Sequence, residues 1–277
     1  MLLNAKPYVE AKMKELKERL SELDVTPKLA IIQVEGNQAS DKYVGNKKKK
    51  CAELGIPVEL YYFSKDVESH TIEEKISELN SNDEVTGILI QLPLPKHLDE
   101  QFLINQICPY KDVDGLTWYN IGRLSQGIYA IPPCTPKGVI ELLDFYGIPL
   151  EGKDVLIIND SNLVGKPLAQ LMLQRGATVT IAHKKTLGLE DKVFKSDIVA
   201  TAVGIPNFLE DFDFNYGTTI IDIGINFDEN GKMCGDVCKD DYEGILERCH
   251  LTPVPGGVGQ TTVMALLDTL VEIVEKY

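Results

Sequence analysis

An aromatic ring and an amine stand one helical turn apart in the first part of the sequence. Tyr43 and Lys47 are four residues apart within residues 40–54, a stretch whose pattern predicts a helix. Side chains at positions i and i+4 share one face of a helix, so a flat substrate could lie on the ring while the amine reaches its reacting atom. We interpret the three lysines that follow Lys47 as a solvated run.

Polar side chains follow a predicted strand and occupy the next loop. Gln91 lies near the end of a strand predicted over residues 85–92, where it either caps stray backbone groups or hydrogen-bonds a ligand. Asp112 and Asp114 lie in a loop that ends at Gly115. Paired acids suggest a metal or an acid/base pair, but aspartate before glycine is also ordinary turn chemistry. Both interpretations stay open at this point.

A strand-turn-helix-strand pattern in the second half could hold a phosphate. Residues 155–158 predict a buried strand, residues 164–175 a helix, and residues 177–182 a second strand. In such a unit the first turn places a helix N-terminus against a phosphate, so a dinucleotide is the expected ligand. The usual glycine pattern is incomplete, because Asn159 and Asn162 stand near the expected glycine positions and only Gly165 is in place.

The elements that would position these residues alternate along the chain. Helices are predicted over residues 5–23, 40–54, 71–79 and 139–146, and strands over residues 28–34, 57–63, 85–92 and 219–223. Thr71 and Glu74 have the spacing of a capping box for the third of these helices. A last amphipathic helix is predicted over residues 261–277. This alternation predicts parallel sheets with helices on both faces and ligands beyond the carboxyl ends of the strands.

Composition excludes several classes of protein. The 277 residues are enough for two domains, and the net charge of −14 argues against a general nucleic-acid surface. We expect no membrane association, because no apolar run reaches the ~20 residues of a membrane helix. The residues at the start lack the apolar region of a signal peptide, so a cytoplasmic protein is expected.

The six cysteines are scattered, which favours reduced thiols over a disulfide framework. A zinc site built from Cys234, Cys238, Cys249 and His250 is an alternative, but three residues separate the first pair, and this spacing also fits one face of a short strand. We therefore expect buried thiols and no metal.

Seven segments, in order over nearly the whole chain, look like the signature series of one enzyme family. They are Tyr43…Lys47-Lys48-Lys49 ahead of Gly55-Ile56, Gln91-Leu92-Pro93-Leu94-Pro95, Lys111-Asp112-Val113-Asp114-Gly115, Pro133-Cys134-Thr135-Pro136, Ile221-Asp222-Ile223-Gly224-Ile225-Asn226, Gly235-Asp236-Val237 and Thr252-Pro253-Val254-Pro255-Gly256-Gly257-Val258-Gly259. The chain resembles the bifunctional methylenetetrahydrofolate dehydrogenase/methenyltetrahydrofolate cyclohydrolase family.

This resemblance implies an α/β fold in which two domains flank a cleft. Residues 1–119 would form an N-terminal parallel-sheet domain that binds folate and carries the catalytic residues. Residues 120–277 would form a Rossmann-like NAD(P)-binding domain with a C-terminal helix. The family usually forms homodimers through the cofactor-binding half, so a homodimer is expected.

The resemblance also implies the reaction, which belongs to one-carbon metabolism and supplies purine biosynthesis. 5,10-Methylenetetrahydrofolate would give up a hydride to NADP, and the methenyl cation would be hydrolysed to 10-formyltetrahydrofolate. Lys47 matches the family's catalytic lysine, Tyr43 its folate-stacking tyrosine and Gln91 the glutamine that hydrogen-bonds the lysine. A cationic product disfavours a second positive charge nearby, so a neutral lysine could accept a proton from the attacking water.

Further matches concern the folate. Asp114 matches the carboxylate that holds the pterin amino group, a charge-assisted contact, and Asp112 is then its structural neighbour. Pro255, Gly256 and Gly257 match a turn that lines the folate side of the cleft, where absent side chains let a ligand approach the backbone.

The cofactor loop both matches and departs from the family. Ser161 and Gly165 match, whereas Asn159 and Asp160 stand where the family commonly has Gly-Arg or Gly-Ala. An aspartate that faces phosphates is unfavourable. A cyclohydrolase with weak or lost dehydrogenase activity is therefore one alternative, and a non-catalytic nucleotide-binding module is another.

The end of the second strand of this unit favours NADP over NAD. NAD-selective folds usually offer an acid there for the ribose hydroxyls, whereas this chain has His183, Lys184 and Lys185. Lys184 or Lys185 could pair with a 2′-phosphate. Ile225 matches a family position that packs near the cofactor.

Overall fold

The computed structural model describes residues 1–36, 38–229 and 231–276. The chain divides into two compact units, and neither is one continuous segment. We name them by their main sheets. Met1–Ala11 and Thr135–Thr262 form the five-stranded unit, and Lys12–Cys134 and Val263–Tyr277 form the three-stranded unit.

The three-stranded unit is a small parallel α/β layer. The chain enters it within α1 (Ala5–Glu22) and returns to it within α10 (Val258–Lys276). Between these helices lie β1 (Leu29–Val34), α2 (Gln38–Glu53), β2 (Val58–Phe63), α3 (Ser69–Ser81), β3 (Gly87–Ile90), α4 (Glu100–Ile104) and α5 (Trp118–Ser125). The order β2-β1-β3 places β1 in the middle, where every residue is buried. The predicted strands and the parallel sheet are confirmed.

The apolar faces of these elements explain the packing. Ile32 of β1, Ile88 of β3, Ile72 of α3 and Leu103 of α4 belong to one buried aliphatic core. Burying such side chains stabilises the fold by about 1.5–3 kcal/mol each relative to exposure. The central strand therefore needs no alternation of polar residues, because both of its faces are covered.

Helix α3 begins earlier than the capping pattern predicted. Its first residue is Ser69 and its N-cap is Glu68, whose side chain makes no capping hydrogen bond. The predicted cap at Thr71 is wrong, because Thr71 is already in the first turn and its N–H donates to the Glu68 carbonyl at 3.1 Å. Ser69 Oγ instead donates to Glu73 Oε1 at 2.7 Å.

A buried carboxylate joins the first and last segments of the three-stranded unit. The side chain of Asp268 in α10 is 3% exposed. Its Oδ1 lies 2.9 Å from Lys12 Nζ and 2.6 Å from Arg19 Nη1, both on α1. Arg19 also pairs with Glu275 of α10 at 2.8 Å. Because the carboxylate is buried and has two cationic partners, this cluster is screened less than an exposed pair.

The five-stranded unit has a doubly wound sheet. Its elements are α6 (Cys134–Phe145), β4 (Asp154–Ile158), α7 (Gly165–Gln174), β5 (Thr178–Ala182), α8 (Leu189–Lys195), β6 (Ile198–Thr201), β7 (Thr219–Asp222), β8 (Asn226–Phe227), β9 (Met233–Cys234), the 3-10 helix Lys239–Asp241, α9 (Tyr242–Leu246) and β10 (His250–Leu251). The parallel order is β10-β7-β6-β4-β5. The chain leaves β4 toward β5 and then continues with β6 on the other side of β4. A ligand crevice forms at such a switch of direction, at the carboxyl ends of the strands.

Helix α10 begins at Val258, three residues before its predicted start, and Tyr277 at its predicted end lies outside the described residues. Thr261 in its first turns is fully buried, and its Oγ1 donates to the Val258 carbonyl at 2.9 Å. A Cβ on Gly138 of α6 would lie 2.6 Å from Thr261 Oγ1. The glycine therefore lets α6 approach this threonine.

None of the described helices is long and apolar enough to cross a bilayer. All six cysteines are free, and all but the half-buried Cys108 are buried.

Candidate functional site

The structure buries one lysine of the basic run and leaves its neighbours at the surface. Lys47 on α2 is 9% exposed, whereas Lys48 and Lys49 are exposed. Lys47 Nζ donates a 3.1 Å hydrogen bond to Oε1 of Gln91, which follows β3 directly. The helical spacing and the strand end together bring an amine and an amide into one buried pair.

Gln91 is held in place by hydrogen bonds from its side-chain amide and from its backbone. Its Nε2 donates to the Leu92 carbonyl at 2.7 Å, and its backbone N–H donates to the Ile32 carbonyl at 2.8 Å. The amide nitrogen therefore satisfies a backbone carbonyl, as the first alternative predicted, and the amide oxygen accepts from the lysine amine. Since Nε2 is fixed by the carbonyl, Oε1 is the atom that faces Lys47.

Tyr43 and Cys51 lie one turn before and one turn after Lys47 on α2. The Tyr43 hydroxyl is buried and has no hydrogen-bond partner among the described residues, and burial raises the pKa of this phenol. A buried hydroxyl without a partner is costly, so this oxygen has unused hydrogen-bonding capacity. Burial raises the pKa of the Cys51 thiol to about 12, which keeps it protonated and unreactive at neutral pH.

The two acids of the next loop have different environments. Asp112 is 1% exposed and accepts hydrogen bonds from Thr117 N at 2.8 Å and Asn120 Nδ2 at 3.0 Å, and burial raises its pKa. Asp114 is half-buried. Gly115 has a φ of +67°, and a Cβ there would lie 2.5 Å from the Ile131 carbonyl oxygen. Asp112 therefore fixes the loop, and the glycine lets the chain turn sharply after Asp114.

The turn that precedes α10 belongs to the five-stranded unit. Pro255 is exposed and follows a cis peptide bond. Gly256 has a φ of +114°, and its carbonyl accepts from Ala5 N at 2.8 Å. A Cβ on Gly257 would lie 2.6 Å from the Pro253 carbonyl oxygen. Both glycines are therefore required by the turn itself, in addition to any ligand that approaches it.

A cavity of about 790 Å³ lies at the carboxyl ends of β4, β5 and β6. Its apolar wall is formed by Ile158, Ala182, Leu189, Val203, Ile205 and Phe208. Ligand pockets commonly have volumes of about 300–1,000 Å³, so this cavity is large enough for much of a dinucleotide. The crevice therefore lies where the doubly wound topology predicts it.

Asn159 organises the loop between β4 and α7. Its Oδ1 accepts from Ser161 N at 2.9 Å, Ser161 Oγ at 2.6 Å and Gly165 N at 3.0 Å, while its Nδ2 donates to the Ala202 carbonyl at 2.7 Å. A Cβ on Gly165 would lie 1.9 Å from the Asn159 carbonyl oxygen. The asparagine therefore replaces the missing glycine pattern with a hydrogen-bonded turn, and Gly165 lets α7 start against it.

The charged rim of the cavity carries both signs. Lys184, Lys185 and Asp160 line it and are exposed. Two cations and His183 outnumber the one acid, so the rim suits an anionic ligand such as a phosphorylated nucleotide. Ile225 lies between β7 and β8, is 40% exposed and is outside the residues that line this cavity.

A buried polar cluster behind the cavity had no predicted role. Asp222 and Asp236 are fully buried and lie next to each other, with Thr201 and Asn226 beside Asp236. The available signal was a glycine near each acid, Gly224 and Gly235. Within the described ranges no group of three His, Cys, Asp or Glu side chains could hold a metal ion.

Two family profiles match this chain, one in each half. The profile of the tetrahydrofolate dehydrogenase/cyclohydrolase catalytic domain matches residues 3–114. The profile of the tetrahydrofolate dehydrogenase/cyclohydrolase NAD(P)-binding domain matches residues 133–277.

Similar proteins extend over almost the whole chain. The bifunctional protein FolD of Lysinibacillus sphaericus is 43% identical over 93% of this chain and 90% of its own length. The crystal structure of the bifunctional FolD methylenetetrahydrofolate dehydrogenase/cyclohydrolase of Campylobacter jejuni matches with a TM-score of 0.95 and 39% identity, over 99% and 98% of the two chains. The Trypanosoma brucei enzyme, solved with NADP cofactor and inhibitor, matches with a TM-score of 0.92 and 31% identity, over 100% and 97%. Because both profiles and full-length relatives agree, the chain belongs to the tetrahydrofolate dehydrogenase/cyclohydrolase family.

Proposed function

We propose that this protein oxidises 5,10-methylenetetrahydrofolate with NADP and hydrolyses the resulting methenyl cation to 10-formyltetrahydrofolate. The observation that carries this proposal is the buried pair of Lys47 and Gln91, one helical turn from Tyr43. The family profiles and the bifunctional relatives agree with both activities.

Lys47 is the proton-transfer group in this proposal. The methenyl substrate carries a positive charge, which disfavours an ammonium close to it and favours the neutral amine. A neutral Nζ can accept a proton from the water that attacks the methenyl carbon. Gln91 holds this nitrogen in place without adding a charge, because its own amide is fixed by the Leu92 carbonyl.

Within the three-stranded unit, Tyr43 and Asp114 would bind the folate. The buried and unpartnered hydroxyl of Tyr43 supports a ligand contact there. The half-buried Asp114 can accept charge-assisted hydrogen bonds from a pterin amino group, since Asp112 already fixes the loop. The assignment of Pro255, Gly256 and Gly257 to substrate binding is supported by the family resemblance alone. We propose that residues 1–119 form the folate-binding and catalytic domain and residues 120–277 the NADP-binding domain, with the turn at residues 255–257 as the exception that contributes to folate binding.

NADP fits the cavity of the five-stranded unit, and when bound it supplies the hydride acceptor. Ser161 and Gly165 would border its phosphates, and Lys184 or Lys185 would pair with the 2′-phosphate. We propose that Ile225 packs near the cofactor by family resemblance alone. NADP is preferred over NAD because the rim beyond β5 is basic and offers no acid to the ribose.

The cyclohydrolase-only alternative has weaker support than the bifunctional one. It depended on Asn159 and Asp160, but Asn159 makes four hydrogen bonds that shape the loop. Asp160 remains as an exposed negative charge at the cavity. One exposed charge lowers affinity modestly and does not abolish binding.

We further propose a cytoplasmic homodimer that supplies purine biosynthesis and associates with neither nucleic acid nor membrane. The six free cysteines support a reducing compartment, and the net charge of −14 disfavours nucleic acid. The dimer is supported by the family resemblance, and light scattering on the purified chain tests it.

Three absorbance assays in the near ultraviolet test the proposed reaction. When the enzyme is mixed with 5,10-methylenetetrahydrofolate and NADP, the absorbance should rise, and with NAD in place of NADP it should rise more slowly. When the enzyme is mixed with methenyltetrahydrofolate and no nucleotide, the absorbance should fall faster than in buffer without enzyme. Loss of methenyl absorbance without any NADP-dependent rise would support the cyclohydrolase-only alternative. Uncatalysed rates in all three assays would contradict the proposal.

A further inference from the structure

Asp236 is the centre of a buried hydrogen-bond cluster in the five-stranded unit. It is fully buried, and its two carboxylate oxygens accept five hydrogen bonds. Thr201 Oγ1 and Val203 N donate to Oδ2, each at 2.7 Å. Gly204 N, Ile205 N and Asn226 Nδ2 donate to Oδ1 at 3.1, 3.3 and 3.0 Å.

Three of these donors are consecutive backbone N–H groups of residues 203–205. Such a run of N–H groups forms an anion-binding nest, and here an internal carboxylate fills it. Val203 and Ile205 also line the cavity at the carboxyl end of β6. The carboxylate therefore fixes a wall of the cavity from behind, without lining the cavity itself.

Asp222 holds the segment that carries Asp236. Its carboxylate accepts from Gly224 N at 3.0 Å, Asp236 N at 3.1 Å and Val237 N at 2.9 Å. No side chain fits between the two loops, because a Cβ on Gly235 would lie 1.9 Å from Asp222 Oδ2 and one on Gly224 would lie 2.1 Å from Asp236 Oδ1. The two acids therefore lock both loops behind the cavity.

We propose that Asp236 is a positioning residue for the dinucleotide: it holds residues 203–205 in the shape that the cofactor binds, although it does not touch the cofactor. This inference rests on the proposed function, because it takes the cavity to be the NADP site. A preorganised wall binds more tightly, since less ordering remains to be done when the ligand arrives.

The central test is the near-isosteric variant Asp236→Asn, in which an amide group replaces one acceptor oxygen. We expect the KM for NADP to rise at least tenfold, the KM for the folate substrate to stay within twofold, and kcat at saturating NADP to fall by less than threefold. Cyclohydrolase activity without nucleotide should stay within twofold. Hydrogen exchange of the residue 203–205 amides should be faster than in the wild type.

Thr201→Val is the milder companion variant, because it removes one donor and leaves the carboxylate and the three N–H groups. We expect it to raise the KM for NADP two- to fivefold with normal cyclohydrolase activity, and it carries the test if Asp236→Asn does not fold. A parallel loss of NADP affinity and cyclohydrolase activity, or an unchanged KM for NADP in both variants, would overturn the proposal. A wild-type chain that does not bind NADP would instead refute the proposed cofactor.

Discussion

The amine of Lys47 on α2 and the amide of Gln91 after β3 form one buried hydrogen bond of 3.1 Å, although 44 residues separate them in sequence. If this amine transfers the proton, Lys47→Met should lower cyclohydrolase activity by about 100-fold or more, as expected for the loss of a general base. The exposed Lys49→Met is the matched control and should change the rate little. Rates from the decay of methenyl absorbance check this, and equal losses in both variants would mean that the lysine run acts only as an electrostatic patch.

Asp114 is expected to serve both reactions through one folate pose. Asp114→Ala should raise the KM for folate in both assays by a similar factor, roughly tenfold or more for a lost charge-assisted contact. The affinity for NADP, measured by fluorescence titration, should be nearly unchanged. Asp112→Ala is the contrasting variant and should lower the melting temperature, because two buried donors lose their acceptor. Normal folate binding by Asp114→Ala would place Asp114 with the structural turn residues.

Asp160 is a negative charge on a rim that should receive phosphates. Asp160→Ala should tighten NADP by roughly threefold to tenfold, because it removes a repulsion that solvent already weakens. Most of the gain should disappear in high salt. Asp211→Ala changes the net charge equally but lies outside the cavity lining, so it should not alter NADP affinity. Unchanged or weaker binding in Asp160→Ala would show that the carboxylate does not face the phosphates.

Gly165 is expected to tolerate no side chain. A Cβ there would lie 1.9 Å from the Asn159 carbonyl oxygen, which is backbone and cannot turn away. Gly165→Ala should therefore displace the start of α7 and weaken NADP binding by at least tenfold. Gly152→Ala is a control with open space around the added atom, although its φ of +71° disfavours alanine, so it should cost stability without affecting NADP. Full NADP affinity in Gly165→Ala would contradict the close approach.

Asp222 should make the stability of the five-stranded unit depend on pH. Burial raises its pKa from 3.8 to about 7 in the folded chain. The unfolded chain therefore releases this proton near pH 4, whereas the folded chain keeps it until near pH 7. The contribution of Asp222 to the free energy of unfolding is therefore present in full below pH 4. This contribution decreases as the pH rises from 4 to 7, by up to about 1.4 kcal/mol per pH unit.

Urea denaturation of the wild type and Asp222→Asn between pH 5 and pH 7 measures this effect. The stability of the wild type relative to the variant should fall as the pH rises, because asparagine does not titrate. Curves that stay parallel would show that Asp222 is already ionised across this range.

Long apolar runs made much of the fold predictable. The predicted strand at residues 155–158 is observed as Asp154–Ile158, because a strand of a covered parallel sheet is apolar throughout. Helix α2 was predicted over residues 40–54 and is observed as Gln38–Glu53. The strand β6 was not predicted, because the four residues Ile198–Thr201 are too short to show a period, and the capping pattern at Thr71 was misleading because a helix start also depends on tertiary contacts.

The site was only partly predictable for a related reason. Tyr43 and Lys47 share a face by local helical geometry, so sequence spacing was sufficient. The contact between Thr201 and Asp236 joins residues 35 positions apart, and no local pattern specifies such a pairing. The role of Asn159 was also hidden, because its side chain bonds to a backbone carbonyl 43 residues away.

The arrangement of Asp268 with Lys12 and Arg19 has a consequence for the order of folding during synthesis. Most of the three-stranded unit is synthesised before residue 135, yet its segment from Val263 onward is synthesised after all of the five-stranded unit. The three-stranded unit is therefore the only one of the two whose last segment follows residue 262. A chain truncated at residue 262 would retain every segment of the five-stranded unit but lack the buried acid that neutralises two cations of α1, so we expect the three-stranded unit to complete its packing last.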